Sequence, residues 1–185
     1  SNYSISSGQT TTANITEKSV TVSGITASNK TYDASTSATV DVSSASFSGI
    51  VSGDNLSVSA SGVFDNANVG TGKTVTLTSS YSGDDVNNYS ITDQASTTAN
   101  VTQKDLTATA SASNKSYDAA TTATVTLTFS GLIGSETLGQ SVSATFSDKN
   151  VGAGKTVTVN SITLSNGSNG GLAGNYSISS GQTST

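Results

Sequence analysis

The sequence contains no cysteine, histidine, proline, tryptophan or methionine, and all seven of its basic residues are lysine. Without cysteine the chain can form neither disulfides nor thiolate metal sites, which in so polar a sequence fits an extracellular protein stabilised without redox chemistry. Without histidine or cysteine, catalytic bases and nucleophiles are limited to Asp, Glu, Lys and hydroxyl groups, and no acid pair is duplicated in a pocket-like context. We therefore expect a protein that is not an enzyme and needs no cofactor.

Charge is also scarce. Only 10% of the residues are charged, and seven lysines against twelve acids leave a net charge of −5. A nucleic-acid partner is unlikely on this ground, because binding to phosphates needs a basic surface. No apolar run approaches the length needed to span a bilayer, and no basic-then-apolar leader opens the sequence. We therefore expect neither nucleic-acid binding nor membrane insertion.

Serine and threonine dominate what is present. They make up 68 of the 185 residues, whereas apolar residues account for 32%. Any core must therefore be thin and built from Val, Ile, Leu, Ala and a few aromatic side chains. Ser, Thr and Val in this proportion favour strands over helices.

The chain repeats itself with a period of about 86 residues. The stretch "NYSISSGQTTTANITEK" at 2–18 returns as "NYSITDQASTTANVTQK" at 88–104, and "NYSISSGQTST" at 175–185 begins a third copy. Self-similarity at a fixed period indicates tandem structural units. We expect two repeats, 17–102 and 103–185, preceded at 1–16 by the terminal strand of an earlier repeat that is disordered or paired with a neighbouring molecule.

Apolar residues alternate with polar ones along several segments of both repeats, which predicts half-buried strands. The alternation runs through Leu56, Val58, Ala60 and Phe64, through Leu138, Val142, Ala144 and Phe146, and through Val125, Leu127 and Phe129. It slips by one residue at Ser23-Gly24, where we predict a β-bulge.

Gly, Asn, Asp and Ser cluster between these segments about every ten residues. About seven strands per repeat predict an all-β chain of two tandem antiparallel immunoglobulin-like β-sandwich domains in an elongated arrangement. The alternative is a mixed, β-grasp-like sheet with one short helix around 28–36.

A glycine-lysine motif occurs twice, as "NVGTGKTVTL" at 68–77 and "NVGAGKTVTV" at 150–159. A phosphate-binding loop would need a glycine where Ala67 and Lys149 stand, and a helix after the motif. An alternating, strand-like segment follows instead. The motif therefore predicts a hairpin turn in which Gly70 and Gly72, and likewise Gly152 and Gly154, supply positive φ.

A second motif also recurs, as Lys30, Tyr32 and Asp33 and again as Lys115, Tyr117 and Asp118; the acids Asp54 and Glu136 align as well. The simpler interpretation is that Tyr anchors a turn, Asp caps backbone amides and Lys lies along a sheet edge. The alternative is a spontaneous Lys–Asn or Lys–Asp amide crosslink, which would lower the intact mass by one ammonia or one water per domain.

Calcium is the one metal that the sequence suggests. Asp84, Asp85 and Asp93 lie in or near the oxygen-rich stretch "SGDDVNN" at 82–88. The equivalent stretch of the second repeat, at 165–175, has no carboxylate. A metal required by both repeats therefore cannot bind there, and we expect none.

The motifs "NKTYDAS", "FSGIVSGDNL", "NVGTGKTVT" and "NYSI…TTANIT", in this order, resemble the YDG-type repeat and the related MBG repeats of filamentous-haemagglutinin-like and other large bacterial surface adhesins. The resemblance covers nearly all of both repeats. Two departures stand out: Ala34 and Ala119 replace the usual Gly after Tyr-Asp, and Glu17 and Gln103 replace the Pro often found at the domain junction.

The resemblance implies a structural extender, or stalk, of a large adhesin on the surface of a Gram-negative cell, projecting a distal adhesive domain in cell adhesion or biofilm formation. Its partners would be neighbouring repeats of the same chain, and we expect a monomer. The alternative is a module that itself binds glycan or protein. Because the aromatic residues recur in core phase and only Tyr81 is unique to one repeat, this alternative has less support.

Overall fold

The computed structural model describes residues 2–178 and the backbone of residues 183–184. This part of the chain is all-β and contains no α-helix; two single 3-10 turns lie at Val86–Asn88 and Ala173–Asn175. The strands of the first repeat are β1 (Lys18–Ser23), β2 (Thr26–Ala27), β3 (Lys30–Thr31), β4 (Ser37–Ala38), β5 (Val40–Asp41), β6 (Ser46–Ser48), β7 (Ser57–Phe64), β8 (Gly70–Ser82), β9 (Tyr89–Thr92) and β10 (Ser96–Thr102). Those of the second are β11 (Lys104–Ala112), β12 (Thr122–Ala123), β13 (Val125–Ser130), β14 (Leu138–Phe146), β15 (Val157–Asn166), β16 (Tyr176–Ile178) and β17 (Thr183–Ser184).

The first repeat is built from two main sheets. One has the strand order β6-β1-β9 and the other the order β3-β10-β8-β7-β4, while β2 and β5 form a short separate pair. The long hairpin of β7 and β8 pairs in register from Ser57 opposite Ser82 to Phe64 opposite Val75. This hairpin carries the alternation predicted from the sequence, since Val58, Ala60 and Phe64 face inward.

The second repeat has the same arrangement with fewer strands. Its sheets have the orders β13-β11-β16 and β12-β14-β15-β17, which match β6-β1-β9 and β4-β7-β8-β10 of the first repeat. No counterpart of β3 pairs in the part of this repeat that the structure describes. The two repeats therefore share one topology, and the second is less completely paired.

Side chains from both main sheets of the first repeat form one buried cluster. Val22 of β1, Phe64 of β7, Val75 of β8 and Val101 of β10 all belong to it. A smaller cluster fills the second repeat and consists of Leu127, Ala144, Val157 and Val159. As the composition predicts, this thin core is built from Val, Ile, Leu, Ala and a few aromatic side chains.

The alternation does slip at Ser23-Gly24, but as a break between two strands and not as the predicted β-bulge within one, because β1 pairs with β6 and β2 pairs with β5. Gly24 has φ +87° and separates β1 from β2, after which Ile25 returns to the core. A Cβ atom on Gly24 would lie 2.2 Å from the carbonyl oxygen of Ser44, so no other residue fits. In the second repeat β11 runs through the corresponding segment without interruption.

Several expectations need correction. The helix around 28–36 is wrong, because this segment forms β3 and a turn. Most ladders are antiparallel, but the pairs β1–β9, β3–β10 and β11–β16 are parallel. In the glycine-lysine turns only Gly72 and Gly154 have positive φ, at 60° and 63°; Gly70 and Gly152 do not.

Residues 2–17 lie outside both sheets. They form no strand and are exposed along their whole length, although their sequence matches that of β9 and β10. Tyr3, Ile5 and Ile15 are almost fully accessible to solvent. The segment therefore has the sequence of buried strands but packs against neither domain.

Candidate functional site: the junction between the repeats

A single residue, Gln103, connects the last strand of the first repeat with the first strand of the second. Its side-chain amide Nε2 donates hydrogen bonds to the carbonyl oxygens of Gly174 (3.2 Å) and Tyr176 (3.0 Å). The connection is too short to act as a flexible linker, and its side chain is tied to the second repeat.

At this junction one glutamate, Glu136, accepts a hydrogen bond from a tyrosine of each repeat. The Tyr32 hydroxyl donates to Oε1 of Glu136 at 2.7 Å, and the Tyr176 hydroxyl donates to Oε2 of the same carboxylate at 2.6 Å. The two rings meet edge to face, with centroids 5.4 Å apart and planes at 78°. Tyr32 and Tyr176 are only 4% and 2% exposed. Hydrogen bonds to a carboxylate are stronger than neutral ones, and the bond from Tyr32 joins residues 104 positions apart.

Burial and the carboxylate together disfavour ionisation of both phenols. Loss of water, and then the hydrogen bond and negative charge of Glu136, raise the pKa of Tyr32 to about 12. The same causes raise the pKa of Tyr176, although the amide of Ile133, which donates to its hydroxyl, partly opposes them. Both phenols therefore stay protonated at physiological pH, and each donates its hydrogen bond to Glu136; we call Tyr32, Glu136 and Tyr176 the clamp.

Asn175 forms the second polar contact across the junction. Its Oδ1 accepts the backbone N–H of Val69 at 3.0 Å, and its Nδ2 donates to Oδ1 of Asn68 at 3.0 Å. Asn175 is 2% exposed and is the only fully buried polar residue of the described chain. A buried amide must find partners, and here those partners belong to the other repeat.

The hydrophobic core also continues through the junction. Leu106 and Tyr176 of the second repeat belong to the same buried cluster as Tyr32 and Val101 of the first, and Ile133 packs against it. The repeats are therefore joined by apolar packing as well as by hydrogen bonds.

The turn that presents Tyr32 explains the recurring lysine and aspartate. Lys30 Nζ contacts Oδ1 of Asp33 (2.7 Å) and donates to the carbonyl oxygens of Ser35 (2.7 Å) and Ser37 (3.2 Å). The same aspartate accepts the N–H of Ser35 at 2.9 Å, and Ala34 between them has φ 60°. Lys30 and Asp33 thus stabilise a tight turn in which Ala34 has a backbone conformation that favours glycine.

The second repeat has the same turn. Lys115 lies 2.8 Å from Asp118 and donates to the carbonyl oxygen of Ala120 at 2.8 Å, while Ala119 has φ 62°. The hydrogen bond from Lys115, followed by that from the N–H of Ala120, lowers the pKa of Asp118. Both lysine-aspartate pairs are ion pairs whose carboxylates are about half exposed.

The family model of the YDG domain matches residues 16–99 and again residues 102–185. The chain belongs to the YDG family. Searches of curated proteins and of solved structures found no match. No helix of the part that the structure describes is long and apolar enough to cross a membrane.

Each YDG domain carries both halves of the clamp. In the first domain the Tyr89 hydroxyl donates to Asp54 (2.6 Å) and accepts the N–H of Val51 (2.9 Å), as Tyr176 does with Glu136 and Ile133. In the second domain Tyr117 occupies the position of Tyr32, yet it is 62% exposed. The expectation that the recurring aromatic residues lie mostly in core phase is therefore wrong for Tyr117, as it is for the 96% exposed Tyr3, whereas Tyr32 is buried because it packs against Tyr176 of the other domain.

The calcium candidates do not gather into a site. Asp85 accepts the backbone N–H of Asn55 at 2.8 Å, and within the described residues no three acidic side chains converge. Tyr81, the one aromatic residue unique to a single domain, packs edge to face on Phe47 with centroids 6.2 Å apart. It therefore forms no exposed platform for a sugar.

The clamp was not predicted from the sequence, although Asp54 and Glu136 align and the tyrosines recur at equivalent positions. The motif spacing places Tyr32 in one domain and Glu136 in the next, and only the fold brings them together.

Proposed function

We propose that the chain is a stalk segment of a large bacterial surface adhesin, in which successive YDG domains project a distal adhesive domain in cell adhesion or biofilm formation. Each domain is a β-sandwich of immunoglobulin-like character in the broad sense, modified by its parallel ladders. The proposed location is the extracellular surface of a Gram-negative cell, and the domain performs no catalysis.

The junction is the observation that carries this proposal. The domains have few degrees of freedom between them, because one residue connects them, Tyr32 and Tyr176 share the half-buried carboxylate of Glu136, and the buried amide of Asn175 bonds across the junction. Interfaces within a chain usually allow relative motion unless they are extensive and apolar. A continuous core and paired polar groups at the junction support a spacer function, because a spacer must hold successive domains in a fixed relative orientation.

Distance measurement between spin labels tests the rigidity of the junction. The chain has no cysteine, so Ser61→Cys on β7 and Ser143→Cys on β14 place one label on each domain. Both positions are exposed and at equivalent places in the hairpin. We expect a single narrow distance distribution. A broad or multimodal distribution would contradict the stalk, since a freely jointed pair cannot act as a strut.

Small-angle scattering tests the shape. Strands of this length aligned with the long axis would add roughly 35–40 Å per domain. We expect an elongated particle; a compact particle with the domains folded side by side would overturn the proposal. The alternative function, direct glycan binding, predicts a reproducible signal on a glycan array, which the stalk does not.

A further inference from the structure

The loop between β15 and β16 carries the two Asn-Gly dipeptides of the sequence, at 166–167 and 169–170. This loop, residues 165–175, is longer than its counterpart in the first domain, residues 82–88, which contains no such dipeptide. Asparagine followed by glycine is especially prone to spontaneous deamidation, because the missing side chain lets the glycine nitrogen approach the asparagine amide. Both dipeptides follow a serine, so the sequence around them does not distinguish the two.

The first of these dipeptides is held closely by its surroundings. The N–H of Gly167 donates to the carbonyl oxygen of Gly171 at 2.9 Å, and Oδ1 of Asn166 accepts the N–H of Ala173 at 2.9 Å. A Cβ atom on Gly167 would lie 2.1 Å from the carbonyl oxygen of Thr137, so the backbone is tightly packed here. A reaction between Gly167 and the amide of Asn166 would have to break both hydrogen bonds and disturb this packing.

The second dipeptide is held by one hydrogen bond. Nδ2 of Asn169 donates to the carbonyl oxygen of Ser135 at 3.0 Å. The N–H of Gly170 has no partner among the described residues, and a Cβ atom on Gly170 would meet nothing within 4 Å. Asn169 and Gly170 have φ of 55° and 88°, so they belong to an open loop and not to a strand ladder. The nitrogen of Gly170 can therefore react once a single hydrogen bond has opened.

We propose that Asn169 is a site of spontaneous deamidation and that Asn166 is protected by the fold. The backbone nitrogen of Gly170 loses its proton and attacks Cγ of Asn169, which closes a five-membered succinimide ring while the Cγ–Nδ2 bond breaks and Nδ2 leaves as ammonia. Water then adds to either carbonyl of the ring and opens it, which gives aspartate or isoaspartate at this position. The two steps together consume one water, release one ammonia and add one negative charge.

The modified position lies beside the clamp. Ser135, whose carbonyl oxygen accepts Nδ2 of Asn169, directly precedes Glu136. A carboxylate at position 169 cannot donate this hydrogen bond and repels the carbonyl oxygen. The same loop is attached through Ser168, whose carbonyl oxygen accepts the N–H of Thr137 (3.2 Å) and whose N–H donates to the Thr137 hydroxyl oxygen (2.8 Å). Deamidation therefore weakens the attachment of the loop to the segment that presents Glu136.

Prolonged incubation of the full chain at mildly alkaline pH, followed by peptide mass spectrometry, tests the proposed site. The signal is the mass gain from replacing NH2 by OH. We expect the rate at position 169, relative to that at 166, to be greater in the folded chain than in guanidinium chloride on the order of tenfold, because only the fold adds a hydrogen bond and packing at 166. A ratio that is the same in both states would overturn the proposal, as would a folded chain that stays unmodified while the unfolded chain reacts.

Asn169→Gln tests the chemistry of the site. Glutamine would have to close a six-membered ring, which forms far more slowly, so the mass gain at position 169 should disappear and none should arise at 166. A folded Asn169→Gln chain that gains mass as fast as the wild type would show that the reaction occurs elsewhere.

Asn169→Asp carries the charge of the product from the start and tests the effect on the clamp segment. We expect the Thr137 N–H to exchange with solvent on the order of threefold faster than in the wild type, because the loop that accepts it has lost one attachment. Asn114→Asp is the matched control, since it adds the same charge at an exposed position outside the loop and should leave this exchange unchanged. Equal exchange in Asn169→Asp and the wild type would overturn the effect on the clamp segment.

Discussion

Tyr32 and Tyr176 belong to different repeats, yet their rings meet edge to face with centroids 5.4 Å apart and their hydroxyls share the carboxylate of Glu136. The first repeat supplies Tyr32, and the second supplies Tyr176 and the carboxylate that accepts both hydroxyls. The stability of the tandem should therefore depend on this contact more than on any single residue inside either domain.

Replacing Glu136 tests this dependence. Glu136→Gln keeps the size of the side chain but removes the charge and one of the two acceptor oxygens. We expect it to lower the free energy of unfolding by about 1–3 kcal/mol, because one buried tyrosine hydroxyl loses its acceptor. Urea unfolding followed by tyrosine fluorescence measures the loss.

Asp54→Asn is the matched control for Glu136→Gln, because Asp54 accepts only one tyrosine hydroxyl, from Tyr89. We expect a smaller loss for this variant. If both variants lose the same stability, the contact with Tyr32 contributes nothing to the junction.

High pH should loosen the junction. The pKa of Tyr32 is raised to about 12 in the folded chain, from 10.0 when it is exposed. Above pH 10 the unfolded chain releases this proton while the folded chain keeps it, so stability is complete below pH 10 and falls as the pH rises towards 12. The slope approaches about 1.4 kcal/mol per pH unit. Tyr32→Phe lacks this phenol, so the free energy of unfolding of the variant should fall less steeply between pH 10 and 12 than that of the wild type. Equal slopes in the two proteins would show that ionisation of Tyr32 is not linked to folding.

Asn175 should be sensitive to truncation. Asn175→Ala leaves the N–H of Val69 and the amide of Asn68 without their partner inside the junction. We expect a loss of about 1–3 kcal/mol in the free energy of unfolding, measured by urea titration. Asn88→Ala, at the equivalent but exposed position of the first domain, should change stability by no more than about 0.5 kcal/mol. A loss of similar size in both variants would place the cost within the domain instead of at the junction.

Replacing Ala34 by glycine should stabilise the turn at Tyr32–Ser35. Ala34 has φ 60°, a conformation that costs an L-residue with a side chain about 1 kcal/mol and costs glycine little. We expect Ala34→Gly to raise the melting temperature, with a gain of up to about 1 kcal/mol once the greater freedom of glycine in the unfolded chain is included. Ala120→Gly, where φ is not positive, should lose about 0.4–1 kcal/mol. A destabilised Ala34→Gly would mean that the turn has a different backbone conformation.

Local patterns predicted the local structure well. The two-residue alternation of Val58, Ala60 and Phe64 identifies β7 because side chains on alternate sides of a strand meet different environments. The phase slip at Ser23-Gly24 likewise marks the end of β1, since only an extra residue returns Ile25 to the core. Turn residues and the spacing of apolar residues predict these features because each depends only on residues close together in the sequence.

Longer-range features did not follow from the sequence. Tyr32 and Tyr117 stand in nearly the same sequence context, but Tyr32 is buried against Glu136 and Tyr176 of the other domain, whereas Tyr117 is 62% exposed. The parallel pairing of β1 with β9 joins segments about 70 positions apart and leaves no local pattern. The alternative fold with a helix around 28–36 is wrong, because Asp33 accepts the N–H of Ser35 in a turn and does not begin a helix.

The parallel ladder between β1 and β9 has a mechanical consequence. Once β10 has been pulled from its sheet, tension on the molecule would act on β1 at its first residue and on β9 at its last, in opposite directions along neighbouring strands. Their hydrogen bonds, from Lys18 beside Tyr89 to Thr21 beside Thr92, would then be loaded in shear and would have to rupture together instead of unzipping one by one. Resistance to stretching depends on this unfolding rate more than on equilibrium stability. A domain with so thin a core can therefore be weak towards heat or urea and still withstand traction, which single-molecule pulling would reveal as one high rupture peak per domain.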